Sequence, residues 1–292
     1  MALQSLDIVR RSATTTASPA ARVAPTGEVA KLIDTSKCIG CKACQVACME
    51  WNDLRDEVGT NFGSYQNPAD LSDQTWTLMR FAEYENPQGD LEWLIRKDGC
   101  MHCADPGCLK ACPAPGAIVQ YANGIVDVNP EQCIGCGYCQ TGCPFDVPRF
   151  HPTTTKMAKC TLCVDRVEVG LEPACIKACP TGCLHFGTKN DMVALGNQRV
   201  KQLQAQGFAK AALYDPPGVG GTGVVTVLAH GDHPEWYGGL PREPRIPLSV
   251  SVWKSLLRPL GLAAIFGAIL STFGHFMNHG PKEARADGEV GQ

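Results

Sequence analysis

Charge of one sign, an apolar leader and a catalytic constellation are all missing from this chain. The 26 Lys and Arg nearly balance the 29 Asp and Glu, for a net charge of −3. No basic excess exists to hold nucleic acid. Arg10-Arg11 would suit a twin-arginine export signal, but Ser-Ala-Thr-Thr-Thr follows where such a signal needs an apolar run. Residues 1–30, rich in Ser, Thr, Ala and Pro, therefore read as an extended arm with no cleavable signal peptide. Aromatic residues are only 7% and charged residues 19%, but hydrophobic content of 44% in 292 residues is enough to bury a core. No nucleophile with a partnered base stands out, so no substrate chemistry is expected of this chain.

What the chain has in excess is cysteine, 17 residues of it. Disulfide frameworks staple small secreted domains that lack a core, and this chain is too long to need one. Cys133-Ile-Gly-Cys136-Gly-Tyr-Cys139-Gln-Thr-Gly-Cys143-Pro144 reads C-x2-C-x2-C-x3-C-P, the ferredoxin run for a [4Fe–4S] cluster. Three closely spaced cysteines wrap one cube, and the fourth, before proline, ligates a second cluster, so one run predicts another. Cys38, Cys41, Cys44 and Cys48 repeat it without the proline. Cys100, Cys103, Cys108 and Cys112 repeat it with a middle gap widened by Asp105-Pro106. Cys160, Cys163, Cys175 and Cys179 form the last set, with Pro180 after it. Its C-x2-C-x11-C-x3-C spacing alone would also suit zinc; its place beside three ferredoxin runs favours a cluster. Cys183 is left over and reads as a small buried side chain. His102, inside a set already holding four cysteines, reads as outer-shell or surface packing rather than a ligand.

Between the cysteine sets, Glu28 to Asp34 alternates like a short strand, and Met49 to Glu57 reads as a helix opened by Cys48. Asn61 to Asp73 is turn-rich. Thr75 to Phe81 and Leu91 to Arg96 read as strands around an Asn-Pro-Gln-Gly turn. Ala117 to Tyr121 and Ile125 to Val128 flank the hairpin signal Asn123-Gly124. Asp191 to Gly207 has helical apolar spacing and reads as a covering helix. Gly218 to Gly223 reads as a loop before the strand Val224 to Leu228, because no helix opens after it to make a nucleotide site.

One long apolar run is present. From Leu260 to Met277 only His275 carries a plausible charge, and with the stretch back to Trp253 it can span about 30 Å of hydrocarbon. Trp253, Lys254 and Arg258 suit the interface, and Pro259 is expected in the first helical turn, where it is tolerated. Gly261, Ala264, Gly267, Ala268 and Ser271 suggest packing against other helices. His275 and His279 read as interfacial polar residues. The basic residues Arg242, Arg245, Lys254 and Arg258 on one flank, against Lys282 and Arg285 on the other, would place the cysteine-rich part in the cytoplasm.

The four sets, their order and the C-terminal helix resemble the iron–sulfur β subunits of respiratory molybdenum or tungsten oxidoreductases, above all those of membrane-bound formate dehydrogenases of the N/O type. The resemblance runs through Glu28 to Asp34, Cys38 to Gly59, Trp93 to Cys103, Tyr121 to Asp127, Lys159 to Val167 and Gly218 to Thr222. It implies an α+β fold of two intertwined two-cluster ferredoxin-like units plus one C-terminal transmembrane helix. The four-cluster domain would be 31–247, with 31–95 and 155–200 pairing around 96–154, followed by the helix at 248–280 and a polar tail at 281–292. It implies four [4Fe–4S] clusters held by crossed sets: Cys38, Cys41, Cys44 with Cys179; Cys48 with Cys160, Cys163, Cys175; Cys100, Cys103, Cys108 with Cys143; Cys112 with Cys133, Cys136, Cys139. Cys183 has no place in that pattern. It also implies a non-catalytic electron-transfer role in anaerobic respiration, between a formate-oxidising molybdenum or tungsten α subunit and a haem b membrane subunit that reduces quinone. The cluster domain would be periplasmic on the inner membrane, exported folded with its signal-bearing partner; this opposes the loop-charge count, which folded cargo overrides. The same relay in a hydrogenase or sulfur-compound reductase, and a membrane-tethered zinc or redox-sensing module, are the competing readings.

Overall fold

The computed structural model describes residues 27–55, 63–85 and 89–279. The expected arm through residue 26, the turn at 86–88 and the polar tail fall outside them. Two compact units divide the chain, one ending at Ile246 and the other beginning at Pro247.

The first unit is built on a four-stranded mixed sheet of order β8-β1-β10-β9. Strand β1 (Val29–Asp34) lies in its interior, parallel to β10 (Val224–Leu228) and antiparallel to β8 (Leu184–Thr188). Strand β9 (Ala212–Tyr214) closes the edge beside β10. All six residues of β1 are buried, so the strand does not present one wet face as its alternating pattern suggested. The reason is that both faces are covered. Helix α6 (Lys189–Ala205) lays Met192, Val200 and Leu203 over Ala30, Leu32, Val225 and Val227. Each such apolar side chain stabilises the fold by about 1.5–3 kcal/mol on burial. Thr188 caps α6 by accepting the Asp191 amide at 3.2 Å. The other face, with Ile33, Leu184, Val224 and Leu228, packs on Cys44, Cys175, Met79 and Leu94.

The cysteine sets sit on short helices. Cys44 and Cys48 both lie within α1 (Ala43–Trp51), which starts before Cys44 rather than after Cys48 as the polar stretch suggested. A four-residue gap is one helical turn, so the helix carries both sulfurs on one side. The others are α2 (Gly107–Ala111), α3 (Tyr138–Thr141), α4 (Val164–Val167) and α5 (Ala174–Lys177). Helix α1 packs on α5, and α2 on α3, so the first and last cysteine sets interlock around the middle two.

Around them, β2 (Thr77–Glu85) and β3 (Leu91–Gly99), nine residues each, form a hairpin whose first strand starts two residues late at Thr77 and whose strands run on past the expected Phe81 and Arg96. Strands β4 (Ile118–Gln120) and β5 (Val126–Val128) pair about Asn123-Gly124, and β6 (Arg149–Phe150) pairs with β7 (Met157–Ala158). The segment Gly218 to Gly223 is indeed a loop, with a function the sequence reading did not assign. Gly223 N–H donates to His102 O at 2.7 Å, Ala104 N–H to Gly221 O at 2.9 Å and Asp105 N–H to Val219 O at 2.8 Å. The loop braces the widened Cys103–Cys108 turn.

The second unit holds α7, helical from Leu248 to His279, long and apolar enough to cross a membrane. Pro259 lies inside this helix and not in its first turn. The turn just before it, Trp253–Leu257, is widened to π spacing, which absorbs the hydrogen bond that proline cannot make. His275 and His279 stack with ring centroids 4.7 Å apart.

The crossing of α2 and α3 tolerates no Cβ. A methyl on Gly107 would lie 2.2 Å from Gly142 O, and one on Gly142 2.7 Å from Gly107 O. Gly107→Ala should therefore force the two helices apart at a cost of about 1–3 kcal/mol. Thermal unfolding followed by circular dichroism should show the midpoint fall relative to the unaltered protein.

Candidate metal centres

The sixteen cysteines of the four sets converge on four cavities. Cys38, Cys41, Cys44 and Cys179 line the first. Cys48, Cys160, Cys163 and Cys175 line the second. Cys100, Cys103, Cys108 and Cys143 line the third, and Cys112, Cys133, Cys136 and Cys139 the fourth. Every cavity draws three cysteines from one set and one from another. The helices explain the exchange: α1 sends Cys44 to the first cavity and Cys48 to the second, while α5 sends Cys175 to the second and Cys179, just beyond its end, to the first. Helices α2 and α3 do the same for the third and fourth.

Within the first C-x2-C loop of each set, the residue before the second cysteine has positive φ: Gly40 at 66°, His102 at 46°, Gly135 at 72° and Leu162 at 55°. Left-handed backbone there turns successive N–H groups inward, as in anion-binding nests. His102 N–H reaches Cys100 Sγ at 3.5 Å and Leu162 N–H reaches Cys160 Sγ at 3.4 Å. Glycine takes this conformation freely; His102 and Leu162 hold it against steric cost.

Buried cations stand between the cavities. Lys97, 5% exposed, lines the first cavity, and its Nζ donates at 3.0 Å to Thr77 Oγ1, whose residue lines the second. Lys159, 3% exposed, lines the third cavity and donates at 3.0 Å to the carbonyl of Cys160, which lines the second. Lys31 is buried as well. A buried ammonium without anions is prohibitively costly. Burial alone would lower the Lys97 pKa, but the sulfurs of Cys175, Cys160, Cys44 and Cys48 more than offset it and hold the ammonium charged. The thiols feel the opposite constraint: burial pushes Cys44 and Cys143 up to about 11, and Cys48, Cys108, Cys139 and Cys163 up to about 12. Such thiols become thiolates at neutral pH only against a metal.

The donor sets, four sulfurs around each cavity, fit iron–sulfur cubes. Among the described residues, no three His, Cys, Asp or Glu side chains converge closely enough to hold one metal ion, whereas tetrahedral zinc needs four sulfurs each about 2.3 Å from one centre. Cys183 belongs to the first cavity: its Sγ lies 3.4 Å from Cys179 Sγ, and it also hydrogen-bonds Cys38. That contact lowers the Cys38 thiol to about 7 and pushes Cys183 up. The sequence had signalled only its burial.

One further cavity contains no cysteine. Arg80, Arg96 and Arg149 line it with Asp70, Asp98 and Asp146. Their charges are spent on one another: Arg80 and Arg96 each bond Asp98 at 2.8 Å, and Arg149 bonds Asp70 at 2.8 Å. This network ties β2 and β3 to the Asp146–Arg149 turn.

Comparison with known proteins agrees with this geometry. Models of the 4Fe-4S dicluster domain match residues 37–117 and 91–189, and a model described as formate dehydrogenase N, transmembrane, matches residues 246–289. The nitrate-inducible formate dehydrogenase iron-sulfur subunit of Escherichia coli K12 is 58% identical over 99% of this chain and 98% of its own length. The chain belongs to the iron–sulfur subunits of formate dehydrogenase. The formate dehydrogenase-O iron-sulfur subunit of the same organism is 59% identical over 97% of this chain and 95% of its own length. Similarity to a subunit of the anaerobic dimethyl sulfoxide reductase of Haemophilus influenzae is lower, 38% over 54% of this chain and 73% of that subunit. As a formate dehydrogenase iron–sulfur subunit, the chain carries four [4Fe–4S] clusters and relays electrons.

Cys183 is the one cysteine beyond the four quartets. Cys183→Ala should leave iron and sulfide content unchanged, whereas Cys175→Ala should cost about four irons of about sixteen. Loss of iron from Cys183→Ala would make Cys183 a ligand.

Proposed function

We propose that each quartet holds one [4Fe–4S] cluster and that this subunit conducts electrons from a formate-oxidising molybdenum or tungsten subunit to a haem b membrane subunit and the quinone pool. When bound, the clusters supply one-electron transfer with little reorganisation. The observation that carries the reading is the exchange of one cysteine between neighbouring cavities, which supports a continuous row. Helices α1 and α5 join the first cavity to the second, Lys159 joins the second to the third, and α2 and α3 join the third to the fourth. Cys41 and Cys136, the exposed cysteines of the quartets, belong to the first and fourth cavities, which suits them as the row's two ends. Lys97, Lys159 and Lys31 offset the negative charge that four thiolates and a cluster bring into the interior, and so hold reduction potentials up. Helix α7 anchors the subunit, with the cluster domain on the periplasmic side of the inner membrane.

Iron, sulfide and zinc content of the anaerobically purified complex, with an EPR spectrum after reduction, tests the reading. About sixteen irons and sixteen sulfides with coupled cluster signals are expected; stoichiometric zinc in place of a cluster would break the row and overturn it. Lys97→Met should lower the midpoint potentials of the two clusters it separates. At roughly 8 Å and an effective dielectric of about 20, the lost attraction is about 2 kcal/mol, or about 90 mV for one electron, readable by EPR-monitored redox titration. Truncation after Ile246 should release the iron-bearing domain into the soluble fraction, as sedimentation of membranes would show.

A further inference from the structure

His102 combines two costs that the protein fold alone does not repay. Its backbone has φ of 46°, a left-handed conformation uncommon for residues other than glycine, although histidine is among the side chains that adopt it most readily. Its side chain is 1% exposed, and Nε2 is buried with no hydrogen-bond partner among the described residues. Such orphaned groups are rare and call for a specific explanation.

The proton's position follows from the other ring nitrogen. Nδ1 accepts the Val126 amide N–H at 3.1 Å, so in the neutral ring the proton sits on Nε2. The buried cations of this interior are the ammonium groups of Lys159, Lys31 and Lys97. Those lysines are donors only and cannot accept the Nε2 proton. The other buried unpaired atoms, Asn67 Oδ1 and Asp127 Oδ1, are acceptors, yet neither reaches it. What remains is the third cavity itself. His102 lines it together with Val126, Lys159 and the quartet Cys100, Cys103, Cys108 and Cys143. With iron bound, that cavity would concentrate negative charge on sulfur beside the ring.

We propose that His102 is a potential-setting residue, its Nε2–H donating a hydrogen bond to a sulfur of the cluster held by Cys100, Cys103, Cys108 and Cys143. The inference rests on the cluster reading above. Sulfur carries more negative charge in the reduced cluster, so the donor favours reduction and raises that cluster's potential. The braces on His102, its carbonyl held by Gly223 and its Nδ1 by Val126, fix the ring for that contact.

The test uses the full chain in its complex. In His102→Phe, which keeps a ring but no donor, EPR-monitored redox titration should show one of four midpoint potentials shifted negative and three unmoved, with iron content unchanged. His102→Gln, which keeps an N–H donor, should recover part of the shift. Four unmoved midpoints in a fully iron-loaded His102→Phe protein would overturn the proposal while leaving the cluster reading intact. Should His102→Phe fail to retain iron, the unaltered protein labelled with 15N-histidine decides. A nitrogen hyperfine coupling to a reduced cluster that is absent from His102→Gln is expected, and its absence from the unaltered protein would overturn the proposal. A wild-type protein without about sixteen irons would fail the cluster reading instead.

Discussion

One turn of helix is the constraint on which this structure depends. Two cysteines four residues apart project from the same side of a helix about 6 Å along its axis. In this fold the two cysteines of each such pair line adjacent cavities and not the same one. Each of α1, α2, α3 and α5 therefore straddles a pair of cavities, and no quartet can be completed by a single stretch of chain. The interlocking of the outer sets around the inner ones follows directly. Cys38 to Cys48 cannot be satisfied until Cys160 to Cys179 arrives, which forces β1 to pair with β8 across about 150 residues of intervening sequence. The sheet, in this sense, is the frame that closes the first two cavities, and α6 is the cover that lets both faces of β1 be buried.

Electrostatics imposes the next requirement. An interior that collects sixteen thiolates must import positive charge. Three lysines are buried where a sequence pattern would place none, on β1, at the end of β3 and before Cys160. They are not surface residues drawn inward. Lys97 and Lys159 stand where two cavities meet, so one ammonium serves two sets of sulfurs, and those sulfurs keep the two lysines charged in turn. Hydrogen bonds from loop amides supply the remainder without adding mobile groups. The cavities thus favour the charged form of cluster and lysine together and neither alone, which couples folding of this domain to metal loading.

Much of this was legible in the chain. The four cysteine sets follow from C-x2-C and C-x3-C spacing, although which cysteines share a cavity was implied only by the family resemblance; the β4–β5 hairpin follows from Asn123-Gly124, and the membrane helix from an uncharged run of the right length. What escaped was whatever depends on contacts distant in sequence. The start of α1 was misplaced because its apolar content is set by packing on α5 and not by helical periodicity. The strand β1 alternates in sequence, but Lys31 and Asp34 are buried by neighbours far along the chain. Pro259 looked like a helix start because nothing in a sequence announces a π-widened turn. Cys183 and the Gly218–Gly223 loop carried no local signal, since each acts only through what the fold sets beside it: Cys38 and Cys179 for the first, the Cys103 loop for the second.

His102 and Leu162 occupy the position that glycine fills in the first C-x2-C loop of the other two sets. Glycine there is sufficient for geometry, so a larger residue must be retained for what its side chain does. Leu162 is 1% exposed and packs with Val29, Ile125 and Val167, sealing the second cavity with apolar surface. His102 holds the equivalent place at the third cavity but brings an N–H. The two interior cavities thus share one backbone device and differ in the polarity of the side chain it presents. Burial and hydrogen bonding to sulfur are the two levers by which a protein separates the potentials of chemically identical clusters. A row of four identical ligand sets can hold different potentials only through such surroundings, and the residue before the second cysteine is one place where the surroundings of these two cavities differ.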